Sequence, residues 1–456
     1  MANPENEKYG FVLRVSLVAA LGGLLFGYDT AVISGVIGYM TTHFELSPMQ
    51  QGWAVACTLI GCILGAGSAG ILSDRFGRKR MLILSAILFA FSAVWSAIPR
   101  NLSEFVMARM IGGFGVGMAS MLSPLYISEI APARMRGRLV SLNQFAIIFG
   151  MLLVYFVNAR IATMGTEAWK CAHAWRWMLA SETVPAGLFW LLLYFVPESP
   201  RWLSQQGRTN EARSILTRVN GVARAEAELQ EIRTSLAMET GSLRELFKPG
   251  IRMALMIGIV LAVLQQVTGI QVVLYYTPEI FKQAGIASTQ AINDTVIVGA
   301  VNLLFTLVAI WIVDIVGRKP LLLIASIGMG LSLTLLGCAF HFEMTRGPWI
   351  LGAVLAYVAS FAVAMGPVVW VVLSEIFPTR IRGRAMSIAT AMLWIACFLM
   401  SQFFPSLLER LHGDVFFIYA AMCAVSVLFV WFYLPETKMR SLEEIENFWQ
   451  RDKGEF

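Results

Sequence analysis

Twelve apolar stretches, each near the length that crosses a lipid bilayer, dominate this sequence. They run at about 11–38, 52–72, 81–98, 102–126, 139–160 and 175–196, then at about 252–281, 292–316, 320–340, 349–373, 384–405 and 415–434. A spanning helix needs roughly 20 apolar residues, and inside hydrocarbon every backbone amide must bond within its own segment. Of the 456 residues 57% are hydrophobic and 14% charged, against roughly 25% charged in a soluble domain. The expected fold class is an all-α polytopic membrane protein. The 35 Lys+Arg against 29 Asp+Glu fall mostly in short loops on one side. The positive-inside rule makes that side cytoplasmic and puts both termini there, with the lipid bilayer rather than nucleic acid as the partner. The opposite loops carry few cations, chiefly Arg100, Lys170, Lys282, Arg346 and Arg410. The first apolar run is too long for a cleavable signal and reads as the first span.

The second half of the chain repeats the first. Gly70-x-x-x-Asp74-Arg75-Phe76-Gly77-Arg78-Lys79 has its counterpart in Asp314-Ile315-Val316-Gly317-Arg318-Lys319, 240 residues later. Glu129-Ile-Ala-Pro132 through Arg136-Gly137-Arg138 returns as Glu375-Ile-Phe-Pro378 through Arg382-Gly383-Arg384 at an offset of 246. Pro197-Glu198-Ser199 returns as Pro435-Glu436-Thr437 at an offset of 238. Three matched pairs at nearly one offset mean an internal duplication. The expected organisation is a six-helix half over 1–196, a cytoplasmic helical linker over 197–250, a second six-helix half over 251–434 and a short cytoplasmic tail over 435–456. Two parallel halves with a site at the midplane are a transporter layout.

Polar residues inside the spans point to the site. Gln265, Gln266, Gln271, Tyr275 and Tyr276 share one segment, where amides and phenols are costly unless paired. Gly269 permits unusual torsions and Pro278 cannot donate to the Leu274 carbonyl, so this helix is expected to break. A break brings all three amides round one polyhydroxylated ligand. Asp29 lies in the first span, where an acid near the midplane costs about 2.5–3.5 kcal/mol. Arg109 in the fourth span is its expected partner, and Glu182 in the sixth is a second buried acid.

The cytoplasmic charges support a gate. Asp74, Arg78, Glu129, Arg136, Arg138, Glu198, Arg201, Asp314, Arg318, Glu375, Arg382, Arg384 and Glu436 are expected to form inter-helix ion pairs that exist only when the inner side is closed. Cys57, Cys62, Cys338, Cys397 and Cys423 lie in apolar segments and Cys171 in a loop, so no disulfide framework is expected. His43, His173, His341 and His412 are scattered, and no metal, cofactor or catalytic constellation is expected: the chain does not read as an enzyme.

The Gly-x-x-x-Asp-Arg-x-Gly-Arg-Lys loop, Pro-Glu-Ser-Pro-Arg at 197–201, Gln-Gln-x-x-Gly-Ile at 265–270 and Pro-Glu-Thr at 435–437 resemble the sugar porter family of the major facilitator superfamily. The runs Gly22–Gly35 and Ser141–Gly150 are most similar to bacterial proton–xylose symporters. This likeness implies proton-coupled symport of a pentose or hexose by a monomer in a bacterial inner membrane. It implies sugar-binding amides at Gln144, Gln265 and Gln266, with Asn302 and Tyr275 nearby. Trp370 and Trp394 would offer aromatic faces, and Phe26 would close one side. It also pairs Asp29 with Arg109 and makes Glu182 a contributor to coupling; facilitators of the family carry a neutral residue at the position of Asp29. Three positions depart from the pattern: Gln271 stands where Asn is usual, Leu393 where an amide is frequent, and Met151 where xylose carriers can have Gln. The alternatives are an uncoupled facilitator, a polyol or inositol symporter, and, from another class, a membrane sugar sensor.

Overall fold

A computed structural model of the chain describes residues 4–132, 135–238, 251–344, 348–377, 382–436 and 438. Most of the expected tail, and the side chains of Asp314 and Arg382, lie outside the described residues.

The chain is helical almost throughout. Helices α1 (Pro4–Phe44), α2 (Pro48–Phe76), α3 (Arg78–Ala97), α4 (Leu102–Ile130) and α5 (Arg136–Ala162) form the first five spans. The sixth is fragmented: α6 (Glu167–Trp169), a π-helical turn (Lys170–Ala174), α7 (Trp175–Ala180) and α8 (Thr183–Leu193). Short helices α9 (Pro200–Gln205), α10 (Thr209–Asn220) and α11 (Val222–Met238) follow. The seventh span is α12 (Ile251–Val267) plus α13 (Ile270–Gln283); the eighth and ninth are α14 (Ser288–Val316) and α15 (Arg318–His341). The tenth is α16 (Trp349–Ser360), a π-helical turn (Phe361–Met365) and α17 (Gly366–Ile376). The last two are α18 (Arg382–Leu411) and α19 (Val415–Tyr433), joined by a 3₁₀ turn (His412–Asp414). Counted with their breaks, the spans among the described residues number twelve.

Several helices outrun their apolar cores. Helix α1 has 41 residues, about 60 Å at 1.5 Å per residue, because helix-forming polar residues continue it beyond the hydrocarbon. Cys171, expected in a loop, sits in the π-helical turn of the sixth span. The turns between α2 and α3 and between α14 and α15 are single glycines, Gly77 and Gly317, with φ of 100° and 101°. Only a residue without Cβ takes that torsion at little strain. Ser199 caps α9 by accepting from the Trp202 amide at 3.2 Å, with Pro200 in the first turn.

The contacts divide the chain into two compact units: 1–36, 57–157 and 172–240; and 37–56, 158–171 and 241–456. In the first, α3 packs along α4 and against α7 and α8, with Ser85 Oγ donating to the Gly115 carbonyl at 2.8 Å. Helices α9 to α11 fold on one another around Leu203, Leu216 and Leu229. In the second, α15 packs on α16 and α19, and α12 on α18.

Candidate functional site

In the first unit the structure brings Asp29, Arg109 and Glu182 together. All three are almost fully buried. Arg109 donates from Nη1 to Asp29 Oδ1 at 2.5 Å and from Nη2 to the Asp29 carbonyl at 3.0 Å. The Glu182 carboxyl lies within hydrogen-bonding reach of Asp29 and feels the charge of Arg109. Asp29 Oδ2, Arg109 Nε and Glu182 Oε1 are buried without a hydrogen-bond partner among the described residues. One guanidinium therefore faces two carboxyl groups in a buried environment, where a lone charge is costly. Beside the pair, Gly112 lets α4 approach Ser92 of α3, since a Cβ there would run into Ser92 Oγ.

The break between α7 and α8 places Glu182. Pro185 has no N–H for the Ser181 carbonyl, so the helix cannot run through smoothly. Instead Ser181 Oγ joins the Tyr28 hydroxyl at 2.7 Å, tying the break to α1 one residue from Asp29. Tyr28 and Ser181 were not singled out by the sequence; a serine four residues before an intramembrane proline is the available signal. Phe26 on α1 and Gln144 on α5 are half-buried in this unit, and Met151, on the same helix as Gln144, is buried.

In the second unit the expected break occurs at Gly269, with φ of 100°, and its absent Cβ would lie 3.1 Å from the Tyr419 ring. The helix does not break at Pro278, which stays inside α13. There the Thr277 hydroxyl donates to the Val273 carbonyl. Tyr357 donates to the Thr268 carbonyl at 3.0 Å, satisfying an end that the break exposes. Gln265 reaches across to the tenth span, its Nε2 donating to the Met365 and Gly366 carbonyls at 2.8 and 3.1 Å. With both amide hydrogens committed to a π-helical turn, Gln265 keeps only its oxygen for another group. Gln266 Oε1 and Gln271 Oε1 are buried with no hydrogen-bond partner among the described residues. Tyr275, Asn302, Leu393 and Trp394 are buried, and Trp370, just after Gly366-Pro367, is half-buried. Tyr357 and Tyr419 escaped sequence reasoning because each lies in an unremarkable apolar run far along the chain.

The charges at the cation-rich end are wired alike in the two units. Arg78 pairs with Asp74 at 3.0 Å and with Glu129 at 3.0 Å; Arg318 pairs with Glu375 at 2.9 Å. Glu198 accepts from the amide of Lys79 at 3.0 Å, and Glu436 from those of Arg318 and Lys319 at 3.1 and 3.0 Å. A carboxylate on the first amides of a helix satisfies orphan donors and complements the helix dipole. Gly77 and Gly317 leave the room, since a Cβ at either would meet the Glu198 or Glu436 carboxylate. Ser199 Oγ donates to Glu129 at 2.5 Å, and Arg201 acts on Glu129 electrostatically. Arg138 and Arg384 are exposed near the starts of α5 and α18. Outside the spans, burial raises the Glu228 carboxyl above its usual range, opposed by its bond to Asn220 and the nearby charge of Arg136.

Residues 15–449 match the family model described as Sugar (and other) transporter. The chain is 47% identical over 446 residues to the arabinose-proton symporter of Bacillus subtilis, covering 97% of this chain and 96% of that protein. It is 46% identical over 484 residues to the D-xylose-proton symporter of Escherichia coli, covering 98% and 97%. Among solved structures, the inward open conformation of the Escherichia coli xylose transporter superposes with a TM-score of 0.86 at 45% identity, covering 96% of this chain and all of that one.

Proposed function

From a chain that belongs to the Sugar (and other) transporter family, the sugar porters of the major facilitator superfamily, we propose secondary active transport: a monosaccharide carried inward with a proton by alternating access. The relatives named for arabinose and xylose symport make a pentose the first candidate. The carrying observation is the buried Asp29–Arg109 bridge with Glu182 beside it. One cation balances one carboxylate, so the second carboxyl is neutral only with a proton. A proton on Asp29 removes the charge that holds Arg109 and frees α1 from α4. The family fold supplies the two-state element that this switch biases.

The sugar contacts are assigned to Gln144 and Phe26 in the N-terminal half and to Gln265, Gln266, Gln271, Tyr275, Asn302, Trp370 and Trp394 in the C-terminal half. Unpartnered oxygens on Gln266 and Gln271 favour hydroxyl donors, and indole faces suit sugar C–H groups. The charges paired through Arg78 and Arg318 are assigned to a cytoplasmic gate. The protein is a multi-pass membrane protein; the finer assignments are a bacterial inner membrane, both termini in the cytoplasm, a monomer, and halves over 1–196 and 251–434 joined by a cytoplasmic linker.

A proton entering down about 100 mV supplies roughly 2.3 kcal/mol, or about 50-fold accumulation at one proton per sugar. The test is purified protein in liposomes with an acid exterior. Wild type should accumulate xylose or arabinose, and Asp29→Asn should lose accumulation yet keep sugar exchange. Undiminished accumulation by Asp29→Asn would overturn the assignment.

A further inference from the structure

At the cation-rich end of the first unit lies a cavity of about 330 Å³, within the range of small-ligand sites. Three cations line it, Lys79, Arg80 and Arg208, against one carboxylate, Glu198. The Glu198 charge is directed at the amides of Lys79 and Ser199. Arg208 is held by Glu211 through two 2.7 Å bonds. Lys79 Nζ gives one bond to the Tyr194 carbonyl at 3.1 Å, leaving two N–H groups. Arg80 is exposed and makes no ion pair among the described residues. Two cations are thus available to an anion.

The surroundings say which anion. Ile83 lines the cavity, and Ile87 and Phe91 continue from it at four-residue spacing along α3, both about half exposed. Leu188 and Leu191 on α8, which packs against α3, are similarly exposed, and Phe195 just beyond is 77% exposed. In a membrane protein this strip faces acyl chains, and Tyr194 and Trp202 stand at its polar end. The repeat provides a contrast. Lys319 donates to the Trp431 carbonyl at 2.8 Å as Lys79 does to Tyr194, but the position of Arg80 is taken by Pro320. At this position the cation belongs to the N-terminal repeat.

We propose that this cavity is the headgroup site of an anionic phospholipid. Its phosphate lies between Lys79 and Arg80, and its acyl chains run along Ile83, Ile87 and Leu191. Basic pockets between helices take such headgroups. A lipid seated there ties α3, the end of α8 and α9 together.

The experiment is a titration of the purified full-length chain in neutral detergent with phosphatidylglycerol or phosphatidylcholine, read by native mass spectrometry. Phosphatidylglycerol should bind at least tenfold tighter. Arg80→Gln and Lys79→Gln should each weaken it about fivefold, the worth of one interfacial cation, with sugar binding unchanged as the check on folding. Lys319→Gln should change nothing. Equal binding of the two lipids, preference retained in the double variant, or an equal loss on Lys319→Gln would overturn the proposal. Displacement of the lipid by millimolar inorganic phosphate would show a site for the free ion instead, and would also overturn it.

Discussion

Gln265 and Gln266 are adjacent in sequence and alike in chemistry, yet their surroundings separate them. Gln265 holds two carbonyls of the tenth span, whereas Gln266 Oε1 is buried without a hydrogen-bond partner among the described residues. Gln265→Leu should therefore lower stability by about 1–3 kcal/mol, since it leaves buried carbonyls without donors. Gln266→Leu should weaken sugar binding while leaving the thermal midpoint unchanged or raised. A thermal-unfolding series with and without sugar separates the two. Arg109→Ala should be more damaging, at about 3–5 kcal/mol, because it leaves Asp29 buried and uncompensated. Selectivity belongs to this scale too. Gln271→Asn and Leu393→Gln should shift the ranking of pentoses against hexoses in a binding screen, as each changes the number or reach of hydrogen-bonding groups.

Among the described residues three spans are interrupted, and the causes were legible to different degrees. Gly269 was readable, because a glycine between amides inside a span has few other uses. Pro278 looked like an equal candidate, but α13 runs through it. Proline forfeits only one bond, and a neighbouring threonine hydroxyl serves a carbonyl in that turn. The π-helical turn at Phe361–Met365 has its sequence mark in Pro367, which has no N–H for the Val363 carbonyl, while the bonds from Gln265 to Met365 and Gly366 could not be read locally. At Gly269, substitution by Ala should cost about 1–2 kcal/mol for the left-handed torsion alone, with more from the approach to Tyr419. A lowered thermal midpoint together with weakened sugar binding would fit a break that positions the amides. Unchanged values of both would not.

Across the whole molecule the duplication extends beyond sequence into hydrogen-bond wiring. Arg78 with Glu129 and Lys79 with Glu198 are matched by Arg318 with Glu375 and Lys319 with Glu436. Each described pair joins helices of one unit, so its first effect is to make that unit rigid. The gating proposal adds that Arg138 and Glu375 stabilise the state closed at the cytoplasmic side. Arg138→Ala with Glu375→Ala should then raise the labelling of an engineered thiol from the cytoplasmic face, and unaltered labelling would count against it. The sequence by itself determined the twelve spans, the two repeats and the family. Hydrocarbon demands apolar length and internally bonded backbone, and both are local properties. That Glu182 stands beside the expected Asp29–Arg109 pair, that α13 runs on through Pro278 and which amide is already engaged were decided only by tertiary structure. The partners lie 80 or 100 residues apart, and no local pattern records who stands beside whom once the helices pack.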